Sequence, residues 1–257
     1  MRLSLIAPAH DEQENVGPLV EEVEAALGDL PGGFEFIVVD DGSRDDTRKR
    51  LETLAADRAW LRVLVMTDTP PGRGNGQSAA FHAGIRAARG SLVALIDADL
   101  QNDPADLPKM VALLDERNVD FVQGDRSANR RDNVVRKASS RVGRLFRRLI
   151  LGDSIRDTGC SLRVMKREIA LRLPLEFKGM HRFIPVTARQ LGYQVIEMPA
   201  AHRPRVAGEA KYGVWNRAIP GLIDCFAVRW MRNRRRPVTS LESTEPETSS
   251  SPGAAGH

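Results

Sequence analysis

Ser91-Leu92-Val93-Ala94-Leu95-Ile96-Asp97-Ala98-Asp99-Leu100-Gln101-Asn102-Asp103-Pro104 is the stretch on which the fold turns. The apolar run from Ser91 to Ile96 is short enough for a buried strand, and it stops abruptly at Asp97. Asp103-Pro104 then supplies a helix N-cap followed by proline at the first helical position, where its missing N–H would go unused anyway. A helix is expected over Pro104–Arg117. Strand, acidic turn and helix together form the unit from which α/β sheets are assembled.

The same alternation extends outward in both directions. Toward the N-terminus, strands are expected at Leu3–Ala7, Phe34–Val39 and Leu61–Met66. Between them, Val16–Leu27 carries apolar residues at helical spacing (Val16, Leu19, Val20, Val23, Leu27), and Asp46–Asp57 and Ser78–Ala88 also read as helices, the last with Gly90 as a stop. Phe121–Gln123 follows as a further strand. Such a sequence predicts an α/β domain with a mostly parallel central sheet and helices on both faces, in which ligands collect beyond the carboxyl ends of the strands.

Composition narrows the possibilities. The chain has 257 residues, 42% apolar and 28% charged, enough for one domain with an extension and ordinary for a globular protein. At this size folding buries roughly 70–75% of the extended surface, so neither disulfide nor metal staple is required for stability. Cys160 and Cys225 show neither CxxC nor metal-finger spacing, which favours a reducing cytoplasm over a disulfide scaffold. The start, Met1-Arg2-Leu3-Ser4-Leu5-Ile6-Ala7-Pro8, is too short an apolar run for a signal peptide, and no stretch is long enough to span a membrane. The net charge is +4; the tail from Pro237 holds Glu242, Glu245 and Glu247 and no Lys or Arg, leaving the body near +7. A basic body suggests an anionic partner. The tail itself, Ser-, Thr-, Glu-, Pro- and Gly-rich, is expected to be disordered.

Three predicted strand ends are acidic: Pro8-Ala9-His10-Asp11-Glu12, Asp40-Asp41-Gly42-Ser43, and Asp97-Ala98-Asp99-Leu100-Gln101. Taken singly, Asp-x-Asp is often a solvated turn and Asp-Asp-Gly-Ser a turn with a helix cap. Taken together at the mouth of one sheet, the carboxylates repel by about 4 kcal/mol per pair at 4 Å and an effective dielectric of 20. They need hydrogen-bond donors or a cation, and oxygen ligands favour Mg²⁺ or Mn²⁺. No GxxxxGK[ST] loop is present to cradle phosphates, so a metal would bridge a diphosphate to the protein.

Those segments resemble the signature of inverting family-2 glycosyltransferases, and more narrowly of the polyprenyl-phosphate sugar transferases, the group that contains dolichyl-phosphate mannose synthases and bactoprenol glucosyltransferases. The likeness runs from about Arg2 to Arg236. It includes Asn75-Gly76-Gln77-Ser78-Ala79-Ala80, Asp157-Thr158-Gly159-Cys160-Ser161-Leu162-Arg163, His181-Arg182-Phe183-Ile184-Pro185, and His202-Arg203-Pro204-Arg205-Val206-Ala207-Gly208-Glu209-Ala210-Lys211-Tyr212-Gly213. The resemblance implies a nucleotide-diphospho-sugar transferase (GT-A) Rossmann-like fold. It also implies metal-dependent transfer of a hexose, mannose first, from GDP-mannose or a UDP-hexose to a dolichyl or polyprenyl phosphate; the alternative keeps the donor chemistry with a soluble or glycan acceptor, against which the Arg205–Lys211 segment and the arginine-rich stretches argue.

By that resemblance Pro8, His10 and Glu12 line the base and ribose, with His10 in place of a more usual tyrosine. Val39 and Asp41 contact the base, Gln77 belongs to the nucleotide pocket, and Asp97 and Ala98 face ribose and phosphates. Asp99 and Gln101 ligate the metal, although Gln101 also reads as a residue leading into the helix. Arg126, Arg136, Arg205 and Lys211 offer cations to the diphosphate and the acceptor phosphate; a solvated surface arginine remains the alternative for Arg136 and Arg205. Asp157 stands nearest the base or acceptor-orienting position, or else serves the turn before Gly159.

Three regions are expected: a catalytic domain over 1–212, an amphipathic, basic helical extension over 213–236, and a tail over 237–257. The extension offers Val214, Trp215, Ile219, Leu222, Ile223, Phe226, Val228, Trp230 and Met231 beside Arg229, Arg232, Arg234, Arg235 and Arg236. It suits a helix lying on the cytoplasmic face of an anionic membrane, or one packed on the domain with a solvated basic end. Arg141–Ile150 forms a second such pattern. A nucleic-acid partner is disfavoured, because the acidic mouth would repel a polyanion and only 5% of residues are aromatic. A dinucleotide oxidoreductase is excluded by the missing GxGxxG after the first strand.

Overall fold

The computed structural model describes residues 1–70, 73–127, 134–203 and 215–236; at 134–142 and 215–219 only the backbone is described. Seven strands form one sheet: β1 (Leu3–Ala9), β2 (Phe34–Asp40), β3 (Leu61–Val65), β4 (Leu92–Leu95), β5 (Phe121–Asp125), β6 (Arg163–Lys166) and β7 (Val195–Pro199). Their order is β3-β2-β1-β4-β6-β5-β7. β1, β2, β3 and β4 run parallel, as do β5 and β7, while β6 lies antiparallel between β4 and β5. The mostly parallel α/β sheet expected from the sequence is present.

Helices α1 (Val16–Leu27), α2 (Thr47–Ala56), α3 (Gln77–Ala87), α4 (Leu107–Glu116), α5 (Val134–Leu151), α6 (Arg167–Leu171), α7 (Ile184–Gln190) and α8 (Trp215–Arg234) flank the sheet. A 3-10 turn at Pro104–Asp106 precedes α4, and Asp103 caps it by accepting the Ala105 N–H at 3.0 Å. The cap and proline therefore act as their order predicts, although the first turn is tighter than an α-helix.

Alternation along the strands divides the interior in two. Leu3, Leu5, Ala7, Phe36, Val38 and Ala94 face α1 and α4, meeting Leu19, Val23, Met110 and Leu114. Ile6, Ile37, Val39, Val93, Leu95 and Met165 face the other way, toward Phe81 and Ile85 of α3 and Cys225 and Val228 of α8. α3 lies very close to β1: a Cβ on Gly84 would come within 2.4 Å of Ile6 Cγ2. α8 is thus packed onto the domain by one face. Residues 204–214 and 237–257, which include Arg205, Lys211 and the predicted tail, lie outside the described residues.

Candidate active site

The carboxyl ends of β1, β2 and β4 bring the three acidic segments together. β1 ends at Ala9, whose carbonyl accepts the Asp41 N–H at 2.9 Å, so the strand-one and strand-two turns begin side by side. His10 Nδ1 lies 2.7 Å from the Asp41 carbonyl oxygen. Asp11, at φ 56°, accepts the Arg44 N–H, and its own N–H donates to Ser43 Oγ. Glu12 accepts the Asn15 side-chain amide at 2.6 Å, and its N–H donates to Thr47 Oγ1 at 2.8 Å.

The buried Asp41 carboxylate is engaged by backbone. Oδ1 accepts the Asn75 N–H at 2.7 Å and Oδ2 the Gly76 N–H at 2.6 Å. The loop achieves this because Gly74 adopts φ +64°, and a Cβ there would stand 2.6 Å from Asp41 Oδ2. Each carboxylate oxygen retains a lone pair, but Asp41 also fixes the loop that opens α3. Val39 is fully buried, paired with β1 and β3 and packed beneath α3, so it offers a base no open surface, against the expectation. Pro8 is half-buried at the end of β1 and Ala98 is buried.

At β4, Asp97 is half-buried and accepts Gln77 Nε2 at 2.5 Å and a hydrogen bond from Ser161. Burial and the neighbouring Asp99 push its carboxyl up to about 6, against the pull of Ser161, Arg126 and Arg163. Asp99 is 8% exposed, and its Oδ1 lies 3.3 Å from the Gln101 N–H. Between Asp99 and Gln101, Leu100 adopts φ 60°, a left-handed conformation costly for a side chain of this type, and thereby turns the chain sharply at the site. Among the described residues no three His, Cys, Asp or Glu side chains gather around a common point. The donor set at Asp97, Asp99 and Gln101 is all oxygen, carries repelling charge, and suits a hard divalent cation completed by ligands from a substrate.

Across the mouth, Arg126 and Asp157 form a buried pair, each 7% exposed. Asp157 Oδ2 accepts Arg126 Nε at 2.9 Å, while Oδ1 accepts Arg126 Nη2 at 3.3 Å and the Gly159 N–H at 3.0 Å. Desolvation works against the Arg126 charge, yet Asp157 outweighs it and holds the guanidinium above its ordinary range. The sequence expectation sets Arg126 against phosphate and gives Asp157 a base or acceptor-orienting position, or else the turn before Gly159; the structure joins the two side chains in one fork, with Asp157 also holding the Gly159 N–H. Arg136 lies in α5, where its side chain is not described.

Further polar groups in this region carried no role in the sequence reading: Gln123, Ser161, Arg163 and His181. Gln123 is fully buried and donates to the carbonyls of Gly124, Asp157 and Cys160. Arg163 is 2% exposed inside β6. The available signal was a polar residue interrupting an apolar strand, Gln123 after Phe121-Val122 and Arg163 between Leu162 and Val164-Met165. A cavity of about 450 Å³ opens at the opposite edge of the sheet, lined in part by Arg2, Asp115, Asn118, Lys166 and Arg167. It shares no residue with the acidic mouth, and Arg2 pairs with Asp115 and Lys166 with Asp120.

Residues 4–173 match the family model described as glycosyl transferase family 2. A dodecaprenyl-phosphate galacturonate synthase from Rhizobium johnstonii is 38% identical over 92% of this chain and 69% of its own length. An undecaprenyl-phosphate 4-deoxy-4-formamido-L-arabinose transferase from Serratia proteamaculans is 33% identical over 90% and 69%. Its counterpart from Klebsiella pneumoniae is 34% identical, over 82% of this chain and 62% of its own length. Among solved structures, a mannosyltransferase from Pyrobaculum calidifontis, in complex with GDP-mannose and Mn²⁺, superposes with a TM-score of 0.63 at 20% identity, covering 92% of this chain and 66% of that one. A glucosyl-3-phosphoglycerate synthase from Mycobacterium tuberculosis, with Mn²⁺, UDP-glucose and phosphoglyceric acid, gives 0.63 at 24% identity, covering 88% and 80%.

Proposed function

This chain belongs to glycosyl transferase family 2, and we propose that it transfers a sugar from a nucleoside diphosphate to a polyprenyl phosphate at a membrane surface. The observation that carries the proposal is the pair Asp97 and Asp99 just past β4, with Asp97 in the field of Arg126, itself forked to Asp157, on the same sheet end as the base-side loops of β1 and β2. The names of the similar relatives support the lipid-phosphate acceptor.

In this reading Pro8, His10, Glu12 and Asp41 receive the nucleoside over the buried Val39, and Gln77 orients Asp97. Asp99 and Gln101 would hold Mg²⁺ or Mn²⁺, which supplies neutralising charge for the diphosphate leaving group. Arg126, fixed by Asp157, presents positive charge at the same mouth. Arg136, Arg205 and Lys211 are proposed for the acceptor phosphate; Arg205 and Lys211 lie outside the described residues, and the Arg136 side chain is not described. A phosphate monoester carries roughly −1.5 to −2 charge and attacks without a general base, so the protein's work is alignment and charge stabilisation, with inversion at the anomeric carbon.

The sugar follows from a donor screen. Mannose is supported only by a neighbour alike in fold, whereas the 38% identical relative is named for galacturonate. Radiolabelled GDP-mannose, UDP-glucose, UDP-galacturonate and UDP-N-acetylglucosamine are offered with a short polyprenyl phosphate, with and without Mn²⁺. One donor should label the lipid in a Mn²⁺-dependent way, and Asp99→Asn should lower that transfer on the order of 10²–10³-fold. Labelling of no lipid by any donor, or full transfer by Asp99→Asn at saturating metal, would contradict the assignment.

A further inference from the structure

Arg163 begins β6, in register with Leu95 of β4 on one side and Gln123 of β5 on the other, two residues before Asp97 along β4. A guanidinium buried in a sheet needs a partner for each edge of its fork. Here its partners are main-chain carbonyls: Nε donates to Ser161 at 3.0 Å, Nη2 to Cys160, and Nη1 to His181 at 3.3 Å. Gln123, its cross-strand neighbour, donates to the same Cys160 carbonyl at 3.0 Å. Two buried side chains from adjacent strands thus clamp one turn.

Both ends of that clamp lead back to Asp97. Ser161 hydrogen-bonds the Asp97 carboxylate and accepts Asn102 Nδ2 at 2.8 Å, which ties the turn to the chain just beyond Asp99 and Gln101. His181 Nδ1 lies 2.8 Å from Ser78 Oγ, and the His181 N–H donates to the same hydroxyl at 3.1 Å. Ser78 follows Gln77, whose amide holds the Asp97 carboxylate from the other side. The loop closes from Arg163 through Ser161 to Asp97, and through His181, Ser78 and Gln77 to Asp97 again. Arg163 and Arg126 both act on Asp97 as attractive charges, Arg126 while also hydrogen-bonded to Asp157.

We propose that Arg163 is a positioning residue of the donor pocket, a buried cation that fixes the Cys160–Ser161 turn and His181 so that Ser161 and Gln77 aim the Asp97 carboxylate at the nucleotide diphosphate. The inference rests on the reading of this mouth as the donor site. Arg163 touches no substrate; it acts through the groups that hold Asp97. A lysine at this position keeps the charge but replaces the planar fork with a single ammonium, which cannot reach the three carbonyls in the same geometry.

The test compares Arg163→Lys and Ser161→Ala with the wild-type chain by calorimetric titration of UDP and of GDP in saturating Mn²⁺, alongside thermal melts and, with the donor the wild type uses, KM and kcat. Groups that orient a ligating shell typically change affinity about 10–100-fold. Arg163→Lys should weaken nucleotide binding and raise donor KM by at least about tenfold, and Ser161→Ala should move both in the same direction while still melting cooperatively. A lowered melting temperature with nucleotide affinity within about twofold of wild type would reduce Arg163 to a packing role and overturn the inference. If Arg163→Lys does not fold, Ser161→Ala decides by the same criterion. Failure of the wild type to bind either nucleotide would overturn the donor-site reading and the inference with it, whereas wild-type binding with unchanged variants overturns the inference alone.

Discussion

Glu35 is 1% exposed at the start of β2, yet it is charged. Burial alone would raise its carboxyl, but the Ser4 hydroxyl at 2.6 Å, the Arg62 guanidinium at 2.6 Å and the Arg89 N–H at 2.7 Å outweigh burial and hold it below its ordinary value. One side chain thereby ties β1, β2, β3 and the exit of α3 at the edge opposite the acidic mouth. An acid whose pKa is depressed in the folded state contributes stability at pH above its unfolded value, and that contribution disappears as pH falls through the folded value. Glu35→Gln should therefore destabilise the protein by about 2 kcal/mol at pH 7, discounted for the partial exposure of Arg62. In urea denaturation the gap between variant and wild type should close as the pH drops below about 4. A gap unchanged from pH 7 to pH 3 would mean that shape, rather than charge, makes Glu35 matter.

At the scale of elements, α5 and α8 form the part of the molecule least like a soluble enzyme surface. Phe146 of α5 meets Phe226 of α8 edge to face, with ring centroids 5.8 Å apart. Arg229 and Arg232 of α8 donate to the Ile150 and Leu151 carbonyls, satisfying the C-terminal turn of α5 as capping groups would. Outward from that joint, Leu145, Leu149, Leu222, Ile223, Phe226 and Trp230 are exposed, with Arg234, Arg235 and Arg236 also exposed at the end of the chain described. No helix among the described residues is long and apolar enough to cross a membrane. Apolar residues beside arginines fit the interface of an anionic bilayer, the arginines contributing about 1 kcal/mol each near the surface. Phe226→Ser/Trp230→Ser should reduce flotation with phosphatidylglycerol-containing liposomes at least about fivefold without altering secondary structure by circular dichroism. Unchanged flotation would exclude this face as the contact. Point substitution is cleaner than truncating α8, because removal of Arg229 and Arg232 would also uncap α5.

The elements also show what could be read in advance. β1 through β5 and the helices between them are long enough for periodicity and caps to register, and their predicted bounds lie within a few residues of those observed. β6 and β7 escaped. β6 spans Arg163–Lys166 with a charge at each end, and β7 contains Glu197 and ends at Pro199, so neither carries a clean apolar signal. Placement of β6 antiparallel between β4 and β5 depends on long-range pairing that local pattern does not encode. The same limit applies to the mouth. Asp97 and Asp99 stand out as adjacent carboxylates on a strand end, but the union of Arg126 with Asp157, and the clamp that Gln123 and Arg163 put on the Cys160 carbonyl, join residues far apart in the chain.

For the whole molecule, the distribution of charge makes a separate demand. The body is basic, near +7 without the tail, while the carboxyl edge of the sheet gathers Asp11, Glu12, Asp40, Asp41, Asp97 and Asp99. A diphosphate drawn toward the protein must enter this acidic region, where burial and the neighbouring Asp99 charge already raise the Asp97 carboxyl. Conversely, no set of three ligating side chains among the described residues would hold a divalent cation firmly by itself. Metal and nucleotide should therefore bind as a unit, each supplying what the other lacks. In thermal melts at pH 7, Mn²⁺ alone and UDP or GDP alone should each move the transition little. Together, at about a hundred times their dissociation constant, they should stabilise by about 2.7 kcal/mol. For a chain of this size that is a rise of roughly 5–10 °C. Asp99→Asn should abolish the joint effect while leaving the melt of the free protein in place. A full shift with nucleotide in excess EDTA would instead show that arginines alone receive the diphosphate, and would remove the need for a cation at the mouth of the sheet.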